Sequence, residues 1–254
     1  MRITSERILD DGTVERDFAF KGIPGILWTP ASAAPSAPVP LILLGHPGGL
    51  HAMRPRLESR AQHAAALGFA TTAIELPGSG ERPVIPTVHQ ARSELRQAIS
   101  AGGRPSDELV ARLILPLVEQ SVPEWQALIG ALLDRPDIGG PVGVSGGIIS
   151  IGVRMAVVEP RIVAAGLFAG SFVPRTIMEE ARHVTIPLHV LLQWDDRGND
   201  RQMALDLFDA FGSKDKTLQA NMGGHTGIPA FAADDAGRFF IRHLHPVAAA
   251  GRAH

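Results

Sequence analysis

A serine flanked by glycines is the residue of this chain whose type and surroundings most clearly suggest chemical reactivity. The segment Gly143–Gly147 reads Gly-Val-Ser-Gly-Gly and places Ser145 between an apolar strand-like run and a helix-like run. A serine on a sharp strand-to-helix turn presents its hydroxyl from a strained backbone, and glycines two positions away leave room for the turn. The alternative is a plain glycine-rich turn. Because the flanking runs fit and the match is the only one in the chain, we predict that Ser145 is a nucleophile.

A serine nucleophile needs a base, and the base needs a third group to orient it. In strand–turn–helix nucleophile sites these partners follow the serine in the order acid, then histidine. His225 lies in the glycine-flanked loop Asn221–Gly227, directly after a strand-like run. The histidines that come after it, at the end of the last helix-like run and of the chain, are His243, His245 and His254. We therefore predict His225 as the base, with an ordinary surface-loop histidine as the alternative.

The orienting acid is expected just beyond a strand that lies between the serine and the histidine. The segment Gln193–Gly198 follows an apolar run and contains two aspartates, Asp195 and Asp196. Adjacent side chains point in different directions, so only one of them can meet His225. The distance from the next helix-like run favours Asp196, and Asp195 remains the alternative.

Acyl transfer also needs N–H groups directed at the oxyanion that develops, each worth roughly 3 kcal/mol. One is expected from Gly146, the residue after the serine. The other is expected from Gly48, because Pro47 in the same loop has no N–H, with Gly49 as second choice. His46 precedes Ser145 in the chain and is expected to brace this loop by a hydrogen bond rather than to act as the base.

The chain alternates strand-like and helix-like runs, which predicts a mostly parallel sheet covered by helices on both faces. The strand-like runs lie at 13–20, 25–29, 39–45, 70–76, 140–144, 163–168, 187–193 and 217–221. The helix-like runs lie at 56–67, 122–133, 146–158, 202–211 and 229–244.

One stretch, residues 83–121, interrupts this alternation. It contains helical patterns at 88–99 and 106–118, and Pro116 is expected to kink or end the second of them. There is no internal repeat, so we predict a single domain over residues 1–254 with a small cap inserted at 83–121.

Composition excludes several classes of function. The 254 residues are 45% hydrophobic with a formal net charge of −2, which favours a globular domain and gives no reason to expect nucleic acid or membrane as a partner. The absence of cysteine excludes a thiol nucleophile and thiolate-bound metal. The N-terminal segment has no signal-peptide pattern, so a cytoplasmic location is expected.

Other binding motifs are weak or missing. Gly78-Ser79-Gly80 is followed by Pro83 where a dinucleotide fingerprint has its third glycine, and no phosphate-loop or zinc-protease motif occurs. We therefore predict no cofactor and no metal. Three arginines near the Gly48 loop are more typical of a solvated helix face than of an anion clamp; they are Arg54, Arg56 and Arg60.

The motifs GHPGG, IELPGSGER, GVSGG, QWDD and GGHTG, in this order, resemble the α/β-hydrolase superfamily. The nearest resemblance is to its small dienelactone-hydrolase-like and prolyl-oligopeptidase-like serine esterases, and it covers residues 38–244. It implies an α/β-hydrolase fold with a mostly parallel eight-stranded sheet, a Ser145–Asp196–His225 triad, and ester hydrolysis without a cofactor. Dienelactone hydrolases proper have a cysteine nucleophile, which this chain lacks, so that activity is not expected.

The prediction from the sequence is a serine carboxylesterase that cleaves small or short-acyl esters through an acyl-enzyme. Its partner would be a small-molecule ester. The same triad would serve a peptidase, thioesterase or lactonase, and a non-catalytic binding protein on a hydrolase scaffold is the alternative from another class. The sequence identifies neither the physiological substrate nor its exact acyl chain, and it makes no prediction of oligomeric state.

Overall fold

The computed structural model describes residues 1–245, which form a nine-stranded sheet covered by helices; His254 lies outside the described residues. The strands are β1 (Arg2–Ile8), β2 (Val14–Phe20), β3 (Ile23–Thr29), β4 (Val39–Gly45), β5 (Ala70–Ile74), β6 (Ile138–Gly146), β7 (Ile162–Phe168), β8 (Leu188–Gln193) and β9 (Lys216–Asn221). The helices are α1 (Leu50–Ala66), α2 (Pro86–Ser100), α3 (Asp107–Leu133), α4 (Ile149–Val158), α5 (Arg175–Ala181), α6 (Arg201–Ala210) and α7 (Ala230–Leu244).

The sheet order is β1-β2-β3-β5-β4-β6-β7-β8-β9. Strands β4 to β9 pair in parallel, whereas β1, β2 and β3 form an antiparallel extension. The predicted α/β class is confirmed, with one strand more than the eight expected. The additional strand is β1, an edge strand whose seven residues are all exposed. With no buried face, it carries no apolar pattern that identifies it in the sequence.

Helices cover both faces of the sheet, as predicted. Leu57 of α1 and Phe239 of α7 belong to the core on one face. Leu128 of α3, Val153 of α4 and Leu207 of α6 belong to the core on the other. The parallel strands inside the sheet are thus covered on both sides, which explains why strands such as β4 appear in the sequence as continuous apolar runs, whereas the edge strand β9 is mostly half-buried or exposed.

In the inserted stretch, Pro116 was expected to kink or end its helix, and it does not end it. Helix α3 continues from Asp107 to Leu133 with Pro116 and Pro123 inside it. A proline in a helix interior costs about 3 kcal/mol. That cost is offset by a continuous buried face, in which each large apolar side chain contributes about 1.5–3 kcal/mol. The buried residues on both sides of Pro116 include Leu113, Leu117, Val118 and Val122.

The boundary next to Ser145 also differs from the prediction. The strand was expected to end at 144 and the helix to begin at 146, but β6 continues to Gly146 and α4 begins only at Ile149. Ser145 therefore lies within the strand ladder, where it is paired with Leu44 of β4 and Gly166 of β7.

Candidate active site

The structure brings His225 and Asp196 into direct contact. Asp196 follows the end of β8, and His225 lies in the loop between β9 and α7. The Nδ1 atom of His225 is 2.7 Å from Oδ2 of Asp196. Asp195, the alternative acid, is exposed and makes no side-chain hydrogen bond within residues 1–245. The loop conformation thus pairs Asp196, and not its neighbour, with the imidazole.

The carboxylate of Asp196 is buried and surrounded by donors. Asn199 Nδ2 donates to Oδ2 at 2.6 Å, and the backbone N–H of Gly198 donates to Oδ1 at 2.9 Å. Burial alone raises the pKa of Asp196, but the hydrogen bonds from His225, Asn199 and Gly198 outweigh it and hold the pKa below its ordinary value. Asp196 is therefore an ionised acceptor, suited to holding the proton of His225 on Nδ1.

Asn199 is a contributor to this site that the sequence analysis missed. Its Oδ1 accepts hydrogen bonds from the backbone N–H and the hydroxyl of Ser171, at 3.2 and 3.1 Å. Asn199 thus links the loop after β7 to the carboxylate of Asp196. Its position three residues after the aspartate is the only sign of this role in the sequence, and many unrelated loops share that spacing.

Replacing Asn199 with alanine is expected to lower kcat of ester hydrolysis by about tenfold to a hundredfold, with little change in KM. The reason is that Asp196 loses a charge-assisted hydrogen bond that fixes its orientation towards His225. Steady-state kinetics on a short-chain ester measures both constants. Ser171→Ala is the matched control, because it removes the far end of the link and leaves the Asn199–Asp196 bond in place. A similar fall in both variants would contradict this role for Asn199.

The other ring nitrogen of His225 is open to solvent. The side chain is 63% exposed, and Nε2 has no hydrogen-bond partner among residues 1–245. Phe168, at the end of β7, lies edge-on to the imidazole with 5.6 Å between ring centroids. A pocket of about 570 Å³ adjoins the pair, and it is lined by Asp195, Asp196, Arg197, Gly198, Asn199, Gly224 and His225.

Ser145 makes different contacts. The guanidinium of Arg60, from α1, donates to the Ser145 hydroxyl at 3.1 Å and to its carbonyl at 2.8 Å. Arg60 also donates to the carbonyl of Gly45 at 3.0 Å. No hydrogen bond joins Ser145 to His225 in the described part of the chain, and Ser145 does not line the pocket beside His225. The structure thus brings two of the three predicted triad residues together.

The sharp turn after β6 is made by glycines that follow Ser145. Gly146 has φ +69° and Gly147 has φ +84°, whereas Lys21 is the only non-glycine residue with positive φ between residues 1 and 245. Positive φ is the conformation that glycine adopts without steric cost. The strained position of the turn is therefore occupied by glycine, and Ser145 precedes it in extended backbone.

The predicted oxyanion donors lie on two adjoining segments. Gly45 and Gly147 approach so closely that a Cβ atom on Gly147 would lie 2.7 Å from the Cα of Gly45. His46 braces the loop as expected, with Nε2 2.8 Å from the carbonyl oxygen of Ile74. Gly48 lies in this loop, and Gly146, the last residue of β6, is paired with Gly45 and begins the turn with its positive φ. The role of Gly48 and Gly146 as donors remains a prediction.

The three arginines near this loop have different surroundings and do not share a partner. Arg54 donates to Glu15 at 2.6 Å and also bonds to Asp17, while Arg56 is exposed. Arg60 is half-buried and has no carboxylate within ion-pairing distance among residues 1–245. Burial, followed by the charge of Arg56, lowers the pKa of Arg60 to about 10, so it stays protonated at neutral pH. The arrangement does not form a converging anion clamp.

Comparisons with solved structures identify the fold. A cold-adapted esterase from an Arctic intertidal metagenomic library is similar to this chain with a TM-score of 0.74 and 25% identity, over 96% of this chain and 100% of the other. Acetyl xylan esterase from Paenibacillus sp. R4 matches with a TM-score of 0.65 and 14% identity, over 96% and 88% of the two chains. Esterase Pf2001 from Pyrococcus furiosus matches with a TM-score of 0.61 and 12% identity, over 96% and 94%.

No protein-family model and no curated protein sequence matches this chain. The fold and the structural neighbours nevertheless agree with the resemblance drawn from the motifs: the chain has the α/β-hydrolase fold, and its similarity to the cold-adapted esterase supports a carboxylesterase-type hydrolase. Within residues 1–245, no helix has the length and apolarity needed to cross a membrane. The same residues contain no group of three or more potential ligands that could hold a metal ion.

Proposed function

We propose that this protein hydrolyses small carboxylic esters, with His225 as general acid–base and Asp196 as the group that orients it. The observation that carries the proposal is the 2.7 Å contact between Nδ1 of His225 and the buried carboxylate of Asp196, beside an open pocket. A histidine held in this way presents a free Nε2 to solvent and substrate. Such a nitrogen can accept a proton from an attacking oxygen and return it to the leaving alcohol.

The charge that develops on the carbonyl oxygen needs N–H donors. The N–H of Gly48 and those of Ile149 and Ser150, at the start of α4, have no hydrogen-bond partner within residues 1–245. The first N–H groups of a helix are unsatisfied by the helix itself and favour negative charge. We therefore assign oxyanion stabilisation to Gly48 together with the first turn of α4, in place of the predicted Gly146.

Two routes are compatible with this acid–base pair. In the route predicted from the sequence, the Ser145 hydroxyl attacks the ester and water later releases the acyl group. In the other route, water attacks the ester directly and no acyl-enzyme forms. Both yield the same acid and alcohol, so the proposed activity does not depend on the choice between them.

Hydrolysis of p-nitrophenyl esters from acetate to dodecanoate, set beside peptide and thioester substrates, tests the activity. We expect turnover that is highest on the short acyl chains and that falls by about 10²- to 10⁴-fold in His225→Ala. No hydrolysis above background would contradict the proposal and favour a binding protein on this fold. Preference for a peptide or a thioester would replace carboxylesterase activity with one of the alternative hydrolase activities.

A further inference from the structure

We propose that the attacking oxygen is a water molecule activated directly by His225, and that Ser145 is not acylated. This inference rests on the proposed ester hydrolysis and specifies its mechanism. It departs from the expectation drawn from the GVSGG motif. Three features of the described residues support it: the register of β6, the contacts of the Ser145 hydroxyl, and the residues that line the pocket at His225.

The register of β6 places Ser145 before the turn. Its backbone is paired on both sides, with Leu44 and Gly166, so its Cβ direction is fixed by the ladder. Its hydroxyl lies near Gly166, where a Cβ atom would be 3.8 Å from Oγ and 3.1 Å from the ring of Phe240. Ser145 thus lies on the sheet face covered by α1 and α7, within the layer between strand and helix.

The hydroxyl of Ser145 is held there by Arg60. The Ser145 oxygen uses one of its lone pairs to accept the hydrogen bond from the Arg60 guanidinium. Among the described residues, no base is hydrogen-bonded to the hydroxyl to take its proton. Absence of a contact with His225 does not decide the matter alone, because catalytic hydrogen bonds are often long without substrate. Rotation about χ1, however, moves Oγ around a Cβ that the ladder keeps in place. The fixed backbone of Ser145 is therefore stronger evidence against its acylation than the missing hydrogen bond to His225.

The turn itself supplies no other nucleophile. Gly147 occupies its strained position, and a Cβ atom there would lie 2.7 Å from the Cα of Gly45 and 3.0 Å from the backbone nitrogen of His46. Contacts under about 3 Å between a Cβ and backbone atoms force the backbone apart, so a side chain does not fit at this position. Neither Gly146 nor Gly147 can provide a hydroxyl.

The pocket beside His225 contains no hydroxyl and no thiol among its lining residues, which are aspartate, arginine, glycine, asparagine and histidine. The nearby hydroxyl of Ser171 is buried and hydrogen-bonded to Asn199. The imidazole, by contrast, is 63% exposed. Water is therefore the oxygen nucleophile that reaches Nε2 of His225.

The reaction balances without any further reactant. His225 Nε2 takes a proton from water as the water oxygen forms a bond to the ester carbonyl carbon, giving a tetrahedral oxyanion. The bond from that carbon to the alkoxy oxygen then breaks, and the imidazolium gives its proton to the departing alkoxide. The products are the carboxylic acid and the alcohol, and His225 returns to its neutral form.

Fluorophosphonate labelling of the wild-type protein, read by intact mass and peptide mapping, tests the inference without a substitution. We expect no adduct on Ser145 from a protein that turns over p-nitrophenyl acetate with no initial burst. In parallel, Ser145→Ala is expected to keep kcat/KM within about threefold of wild type, while His225→Ala loses about 10²- to 10⁴-fold.

An adduct on Ser145, or a burst matching one equivalent of enzyme, would overturn the inference and leave the esterase activity intact. A loss in Ser145→Ala as large as that in His225→Ala would also overturn it, provided the two variants melt at the same temperature as wild type. If Ser145→Ala melts lower, the labelling result on the wild type decides. A wild type without turnover would refute the proposed function itself, which is a separate outcome.

Discussion

Replacing Asp196 with asparagine is expected to lower kcat for ester hydrolysis by about 10²- to 10⁴-fold. The carboxylate accepts the Nδ1 proton of His225 and so keeps Nε2 free to take a proton. An asparagine amide in the same place can turn its NH₂ group towards Nδ1, which favours the opposite tautomer with the proton on Nε2. Because the pKa of Asp196 is held below its ordinary value, the carboxylate is lost only as the pH falls through that lowered pKa. The deficit should therefore persist across neutral and mildly acidic pH.

Asp195→Asn is the matched control for this variant. It makes the same chemical change one residue earlier, at an exposed side chain without a hydrogen-bond partner in the described chain. Asp195 lines the pocket but makes no hydrogen bond to His225 or Asp196, so we expect the kcat of this variant to stay close to wild type and far above that of Asp196→Asn. Steady-state kinetics from pH 5 to 9, with thermal melting of each variant, makes the comparison. Equal losses in the two variants, or full activity in Asp196→Asn, would show that the pair does not orient the base.

Much of the sheet is predictable because the parallel strands in its interior are buried on both faces. Runs such as β4 and β8 are short and apolar along most of their length, which is the pattern expected of a strand covered on both faces. Strand β1 and helix α5 lack such a signal. The first is exposed throughout, and the second has seven residues, of which Ile177 and Ala181 are buried. Short or exposed elements depend on contacts with the rest of the fold, which the local sequence does not reveal.

The acid–base pair is predictable for a different reason. Parallel strands end at the same edge of a sheet, so polar residues that follow two such strands converge. That rule predicts the contact between His225 and Asp196 and leaves open which of two adjacent aspartates makes it. The choice depends on the turn at Gly198, whose N–H binds Oδ1 of Asp196. The same turn brings Asn199 to the carboxylate. The sequence alone therefore reveals neither which aspartate contacts His225 nor the contribution of Asn199.

The position of the turn after β6 is the part of the site that the motif could not locate. In Gly143–Gly147 three glycines surround the serine, and each tolerates the positive φ that a sharp turn needs. A pattern of residue types therefore fits more than one register. The ladder contacts with β4 and β7 select a register in which the strand continues past Ser145. The contacts of Arg60 could not be predicted either. An arginine on a helix face is expected to be solvated, and only the structure shows that this one extends to Gly45 and Ser145 at the ends of two strands.

Substitution of Gly147 by alanine is expected to reduce the free energy of unfolding by about 2–5 kcal/mol. Two costs add. A non-glycine residue at φ +84° loses about 1–2 kcal/mol to backbone strain, and forcing a methyl group into a close-packed site costs about 1–3 kcal/mol more. The second cost arises because the new Cβ would lie 2.7 Å from the Cα of Gly45. Urea denaturation followed by circular dichroism measures the change.

Gly102→Ala separates the two costs. Gly102 follows α2 with φ +71°, and a Cβ atom there would meet nothing within 4 Å. This variant keeps the backbone strain and lacks the clash, so it should lose only about 1–2 kcal/mol. A larger loss at Gly147 than at Gly102 means that the turn has no room for a side chain, which is the steric basis for excluding a nucleophile there. Equal losses would mean that the loop at Gly45 moves aside and that the turn has room for a side chain at position 147.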